Sequence, residues 1–152
     1  MMRAKLILAL LLLAIGCRER MNPYDPGGDD FMTPPPIYSS RPVLGWYNNS
    51  GYLIGVRMQV DFVEPFERSF EIMNVLYRGT EELARDSIQV GSGMDSYVVD
   101  LIGDTVMDTG EYIVIYYWDE FSIGSCLFYI EFRDGFHLIR NVSEYDTLRQ
   151  GY

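Results

Sequence analysis

From Pro42 onward, apolar and polar residues alternate along much of the chain. Tyr52, Ile54, Val56, Met58, Val60 and Phe62 take every second position, with Gly55, Arg57, Gln59 and Asp61 between them. A period of two places one set of side chains on a buried face and the other toward water, the pattern of a half-buried strand. Asn49-Ser50-Gly51 is a turn signal that joins this strand to an earlier one near Val43 to Tyr47. Phe70 to Arg78 predicts the next strand, and Gly79-Thr80 turns it back. Leu83 to Val90 follows, although Glu81-Glu82-Leu83-Ala84-Arg85 also suits the start of a short helix. Tyr97 to Ile102 is a strand between Gly91-Ser92-Gly93 and Gly103-Asp104. Tyr112 to Trp118 is apolar on both phases, as a central strand is. Cys126, Phe128, Ile130 and Phe132 alternate with Tyr129, Glu131 and Arg133, and Asp134-Gly135 is a hairpin signal leading into Phe136 to Val142. These segments make seven or eight short strands, and no stretch has a strong helical period. The pattern predicts an all-β fold, an antiparallel sandwich of two sheets.

The chain before Pro42 has a different character. Six of its seven prolines fall between Pro23 and Pro42, among Gly27-Gly28-Asp29-Asp30 and Pro34-Pro35-Pro36. Such a stretch has little to bury and reads as a semi-rigid spacer. Ahead of it, Arg3 and Lys5 precede an unbroken apolar run from Leu6 to Ile15. The run is shorter than the roughly 20 residues that a membrane-spanning helix needs, and a basic start with a short apolar run is an export signal. Ala14-Ile15-Gly16-Cys17 closes it and resembles the lipobox of bacterial lipoproteins, with Ala14 where a leucine is usual. The resemblance implies cleavage before Cys17, a diacylglycerol on its sulfur and an acyl group such as palmitate on its new amine. Two or more acyl chains make a stable membrane anchor. Arg18 stands where aspartate marks inner-membrane retention, which by the same analogy points to the outer membrane. Asn22-Pro23-Tyr24-Asp25-Pro26 resembles a short string found soon after the cysteine in bacterial surface lipoproteins. The expected organisation is a signal peptide over 1–16, a lipid-anchored linker over 17–41, a sandwich domain over 42–142 and a polar tail over 143–152.

Asp108-Thr109-Gly110-Glu111-Tyr112 resembles the D-x-G-x-Y turn before strand F of immunoglobulin-like domains. There the tyrosine forms a corner, its hydroxyl bonded to backbone a few residues upstream. The resemblance assigns Asp108, Gly110 and Tyr112 a structural role and implies an Ig-like sandwich, without the Cys–Trp–Cys core of antibody domains. Phe70 to Gly79, Gly110-Glu111-Tyr112 and Leu127 to Ile130 further resemble FlgD-like and secretion-tail Ig sandwiches, over roughly residues 56 to 142. Asp100-Leu101-Ile102-Gly103-Asp104 stands where those domains carry Trp-Asp-Gly.

Composition narrows the function. The chain of 152 residues has a net charge of −10, and removing Arg3 and Lys5 with a signal peptide makes the remainder more acidic still. That argues against nucleic acid, which needs a basic surface. With 48% hydrophobic and 14% aromatic residues there is material for one core. If Cys17 is lipidated, Cys126 has no disulfide partner; its phase with Phe128 and Ile130 reads as a buried, inert thiol. The one histidine, His137, reads as a surface residue. Asp104, Asp108, Asp119-Glu120 and Asp134 read as solvated turn carboxylates, without the spacing of a calcium loop or a glycosidase pair. No catalytic residue, metal ligand or cofactor is assigned. The remaining candidate is an aromatic interaction surface of Tyr117, Tyr129 and Phe121, if Tyr117 and Tyr129 share an outer face. The expectation is a lipid-anchored envelope lipoprotein that presents a non-catalytic Ig-like module to a protein or glycan. An accessory subunit of an envelope secretion or motility assembly is the alternative, and a small carboxylate-dependent hydrolase a remote one.

Overall fold

The computed structural model of the chain describes residues 33–142, of which those from Pro34 onward belong to one compact unit. Cys17, the lipobox, most of the linker and the polar tail lie outside the described residues. The described chain is all-β. Its strands are β1 (Ile37–Tyr47), β2 (Leu53–Phe62), β3 (Phe70–Arg78), β4 (Glu81–Val90), β5 (Ser96–Ile102), β6 (Gly110–Trp118), β7 (Phe121–Arg133) and β8 (Phe136–Asn141). They form a three-stranded sheet in the order β1-β2-β5 and a five-stranded sheet in the order β4-β3-β6-β7-β8. Every ladder is antiparallel. The two sheets pack face to face as an open sandwich.

The core follows the period of two. Val56, Met58, Val60 and Phe62 of β2 and Tyr97, Val99 and Leu101 of β5 are buried from one sheet. Ile72 and Leu76 of β3, Tyr112, Val114, Tyr116 and Trp118 of β6, and Cys126, Phe128 and Ile130 of β7 are buried from the other. Each large apolar side chain so placed contributes about 1.5–3 kcal/mol. β6, apolar on both phases, is the middle strand of its sheet. Loop residues plug the two ends of the sandwich. At one, Phe66 packs edge-on to Phe62 at 4.6 Å and against Phe70 at 5.5 Å, and Phe70 meets Trp118 at 5.6 Å. At the other, buried Met107 is tied down by its N–H, which donates to the Leu53 carbonyl at 2.8 Å.

Three boundaries differ from the sequence pattern. β1 begins at Ile37, inside the stretch expected as linker, and runs straight through Pro42. β1 lies at a sheet edge, where one side of the strand needs no N–H donor, so proline is tolerated. A register shift falls at Pro42/Leu44. Glu81 to Arg85 is strand, not the start of a helix. Gly79, at φ 59°, lets a two-residue loop set Glu81 opposite Arg78, and the β3 ladder then holds the segment extended. β7 begins at Phe121, because Asp119 at φ 53° closes a two-residue loop that pairs Trp118 with Phe121. The Asp134-Gly135 hairpin is tight, with both φ positive (54° and 84°) and Arg133 paired with Phe136.

Candidate interaction surfaces

Tyr117 and Tyr129 both point to the outer face of the five-stranded sheet, opposite in phase to the buried Tyr112, Val114 and Tyr116. They do not touch. Tyr129 pairs with Glu111, six residues from Tyr117 on β6, which sets the two about 20 Å apart along the strands. Half-buried Ile113 and Ile115 lie between them on β6. The pKa of Tyr77 is raised, first by burial and then by the neighbouring Tyr117. Met73 pairs with Tyr117 and Tyr77 with Ile113, so the two tyrosines bracket Val75 and Ile115. Val75 is only 1% exposed on this outer face. Phe121, across the loop from Trp118, is 55% exposed.

The outer face of the three-stranded sheet carries a group that the sequence pattern left unmarked. Trp46 on β1 pairs with Gly55 on β2, and Arg57 pairs with Asp100 on β5. The Arg57 guanidinium donates to both Asp100 oxygens, from Nε at 2.7 Å and Nη2 at 2.8 Å. The Trp46 indole N–H donates to Asp100 Oδ1 at 2.9 Å. The Arg57 guanidinium stands 5.1 Å from the centre of the Trp46 ring. Its hydrogen bonds hold the Asp100 carboxyl below the usual range, helped by the indole. Each residue is an ordinary strand residue when read alone. Only the β1-β2-β5 register brings the three together, so no sequence spacing could mark them. Asp61, next along this face, accepts from Ser39 Oγ at 2.8 Å and Gln59 Nε2 at 3.0 Å.

Where β1 passes β7, a notch of about 450 Å³ opens between Ile37–Ser40 and Ile123–Leu127, with Asn141 and Val142 at one end. Cys126 lies in its wall, 6% exposed, and its thiol donates to the Ser40 carbonyl at 3.3 Å. Burial pushes that thiol's pKa up, away from nucleophilic reactivity. Next to Ser40 and Cys126, the fully buried Tyr116 has a hydroxyl with no partner at hydrogen-bonding geometry.

The Asp108 to Tyr112 turn is built as a bonded corner. The Tyr112 hydroxyl donates to the Asp108 carbonyl at 2.8 Å, and its ring stacks on Phe128 at 5.8 Å. Arg78 covers the ring, with its guanidinium 5.6 Å from the ring centre. Gly110 carries φ 155° just before the tyrosine. His137 is half-buried between aromatic rings, 5.0 Å from Phe132 and 5.7 Å from Tyr47, so it is not a free surface group. Among the described residues, no three His, Cys, Asp or Glu side chains converge as a metal site. Compared with protein-family models, curated proteins and solved structures, the chain matches none.

Proposed function

We propose that this chain is a lipid-anchored lipoprotein of the bacterial envelope whose sandwich is an Ig-like, non-catalytic module for contact with a protein or glycan. The strand order carries the reading of the module. β1, β2 and β5 correspond to strands A, B and E, and β3, β6 and β7 to C, F and G, with β4 added beside C and β8 beside G. Tyr112 then sits near the start of strand F, and its bond to Asp108 supports a tyrosine corner. Ala14-Ile15-Gly16-Cys17 after the apolar run supports the anchor, and Cys17 is the lipidated residue. The linker holds the module off the outer membrane. The polar groups on the three-stranded face satisfy one another, which suits recognition better than turnover.

Feeding cells an alkyne analogue of palmitate tests the anchor. The wild-type protein is expected to take up the label and fractionate with outer membranes, and Cys17→Ser to lose both. An unlabelled wild-type protein would remove the anchor and leave a secreted module.

The accessory-subunit reading draws on one feature. Tyr47 and Phe132 are 49% and 58% exposed around His137, where β1 meets the β7–β8 hairpin, and Phe136, on the other phase of β8, is 72% exposed. Exposed aromatic residues of this kind are common at protein interfaces.

A further inference from the structure

β5 pairs with β2 from Gly55 to Asp61, and β1 covers the same stretch from the other side. On the outer face, these positions carry two cations, Arg41 and Arg57, and two anions, Asp61 and Asp100. The chain has a net charge of −10, yet this face balances. Leu44, Val98 and Ile102 stand among the charges, each nearly half exposed. The face therefore mixes apolar and polar groups at the spacing of the strands.

Its central side chains are fixed by one another. Arg57 grips both oxygens of Asp100, the Trp46 indole N–H bonds the same carboxylate, and the guanidinium stands over the indole ring. The Arg57 and Asp100 side chains are nevertheless 37% and 34% exposed. Bonding capacity is left over: a guanidinium has five N–H donors, and Arg57 gives two of them to Asp100. Groups already held in place lose little freedom when a ligand arrives.

The charge balance and the size of the face limit what can sit there. An anion would compete with Asp100 for Arg57, and a cation with Arg57 for Asp100, so the fitting ligand is neutral. Three strands about 4.8 Å apart, paired over seven residues at about 3.4 Å each, offer a flat area of roughly 350 Å². A standard protein interface buries about 800 Å² per partner. A sugar chain is neutral and narrow, and it presents hydroxyls and apolar C–H edges in alternation.

We propose that the outer face of the three-stranded sheet, around Trp46, Arg57 and Asp100, binds a neutral oligosaccharide. The chain lies along β2, with C–H edges against Trp46, Val98 and Ile102 and neighbouring hydroxyls bonded to Arg57 and Asp100. This rests on the reading of the sandwich as a contact module and names the class of ligand. It does not depend on the lipid anchor, which the labelling of Cys17 tests separately.

The test is an NMR titration of the nitrogen-15-labelled full chain. The probes are chitotetraose, maltotetraose and cellotetraose, with a heparin tetrasaccharide as the anionic control. At least one neutral sugar is expected to shift the Trp46 indole N–H and Arg57 Nε–H signals saturably at millimolar concentration, and the heparin fragment to leave them in place. Arg57→Lys keeps the charge but loses the fork, and is expected to weaken binding about tenfold or more with an unchanged Tm. Trp46→Phe, which loses the indole N–H, is expected to weaken it as well. No saturable shift from any of the three sugars overturns the proposal and leaves the module to protein partners. Tighter binding of the heparin fragment overturns it too, as do sugar-induced shifts confined to the five-stranded sheet. Cleavage of a sugar that shifts these signals would support the site and overturn the non-catalytic reading instead.

Discussion

The Tyr97 hydroxyl donates to Asn74 Oδ1 at 2.7 Å and ties one sheet to the other through the core. Asn74, on β3, is fully buried. Its amide donates onward to the carbonyls of Ile72 and Asp86, each at 3.1 Å, so both amide protons and the oxygen have partners. Burying an amide without partners is costly, and this one makes three bonds. Tyr97→Phe removes one bond and orphans a buried oxygen, for an expected loss of about 1–3 kcal/mol. Asn74→Ala removes all three bonds and orphans the buried Tyr97 hydroxyl, and the loss is expected to be larger. Urea melts of both variants check the order. Asn74→Ala less costly than Tyr97→Phe would mean that the amide bonds contribute nothing.

Two other tyrosines of the core give the opposite expectations. Tyr112 has its partner in the Asp108 carbonyl. Asp108 is exposed, so water can replace the lost donor, and Tyr112→Phe is expected to cost about 1 kcal/mol. The buried Tyr116 hydroxyl lacks a partner, and removing an unsatisfied buried group is neutral or favourable. Tyr116→Phe is therefore expected to leave the urea midpoint unchanged or raise it. A drop comparable to that of Tyr112→Phe would mean that Ser40 does complete a bond to Tyr116.

How much of this was legible beforehand depended on whether the determinant was local. Alternation marked β2 and the second half of β7, flanking turns marked β5, an apolar run marked β6, and Asp134-Gly135 marked its hairpin, because a strand face and a type I′ turn are set by neighbours in the chain. The bond from Tyr112 to Asp108 spans four residues and has a motif. The bonds of Tyr97 to Asn74, and of Trp46 and Arg57 to Asp100, span 23 to 54 residues and exist only through sheet packing or sheet register. Proline in β1 misled for a related reason: whether it ends a strand depends on whether that strand is an edge, and strand order is not local. Phase alone left open whether Tyr117 and Tyr129 share an outer face, and it says nothing of distance along the strand.

Gly55 shows how close the three-stranded sheet is built. A Cβ there would lie 2.4 Å from the Leu101 carbonyl oxygen and 2.8 Å from the Ile102 Cα, both backbone atoms of β5. Backbone cannot rotate aside as a side-chain tip does, so β5 would have to shift. Gly55→Ala is expected to cost about 1–3 kcal/mol, the range for overpacking. Because Arg57–Asp100 lies two residues along the same ladder, the variant should also raise the Asp100 pKa toward that of a free carboxylate, read by NMR titration. Unchanged stability and an unchanged titration would mean that the sheet edge yields freely.

The buried tyrosines also set an alkaline limit on the fold. Burial pushes the pKa of Tyr97 and of Tyr116 far above the ordinary phenol value, because a phenolate would lose its hydration in the core. Tyr97 also keeps its proton in the bond to Asn74. In the unfolded chain both titrate near pH 10. Below that pH the folded and unfolded states carry the same protons on these groups, and their contribution to stability is fully present. Above it the unfolded state sheds protons that the folded state keeps, so stability falls as pH rises. The expected loss is about 1.4 kcal/mol per pH unit for each such group above pH 10, until the chain unfolds. Urea melts between pH 8 and about 11 should be flat at first and then fall, and tyrosinate absorbance should rise in two stages, the second coinciding with unfolding. Tyr97→Phe, although less stable at neutral pH, should show a shallower alkaline slope. An equal slope in that variant would mean that Tyr97 ionises in the folded protein as readily as in the unfolded one.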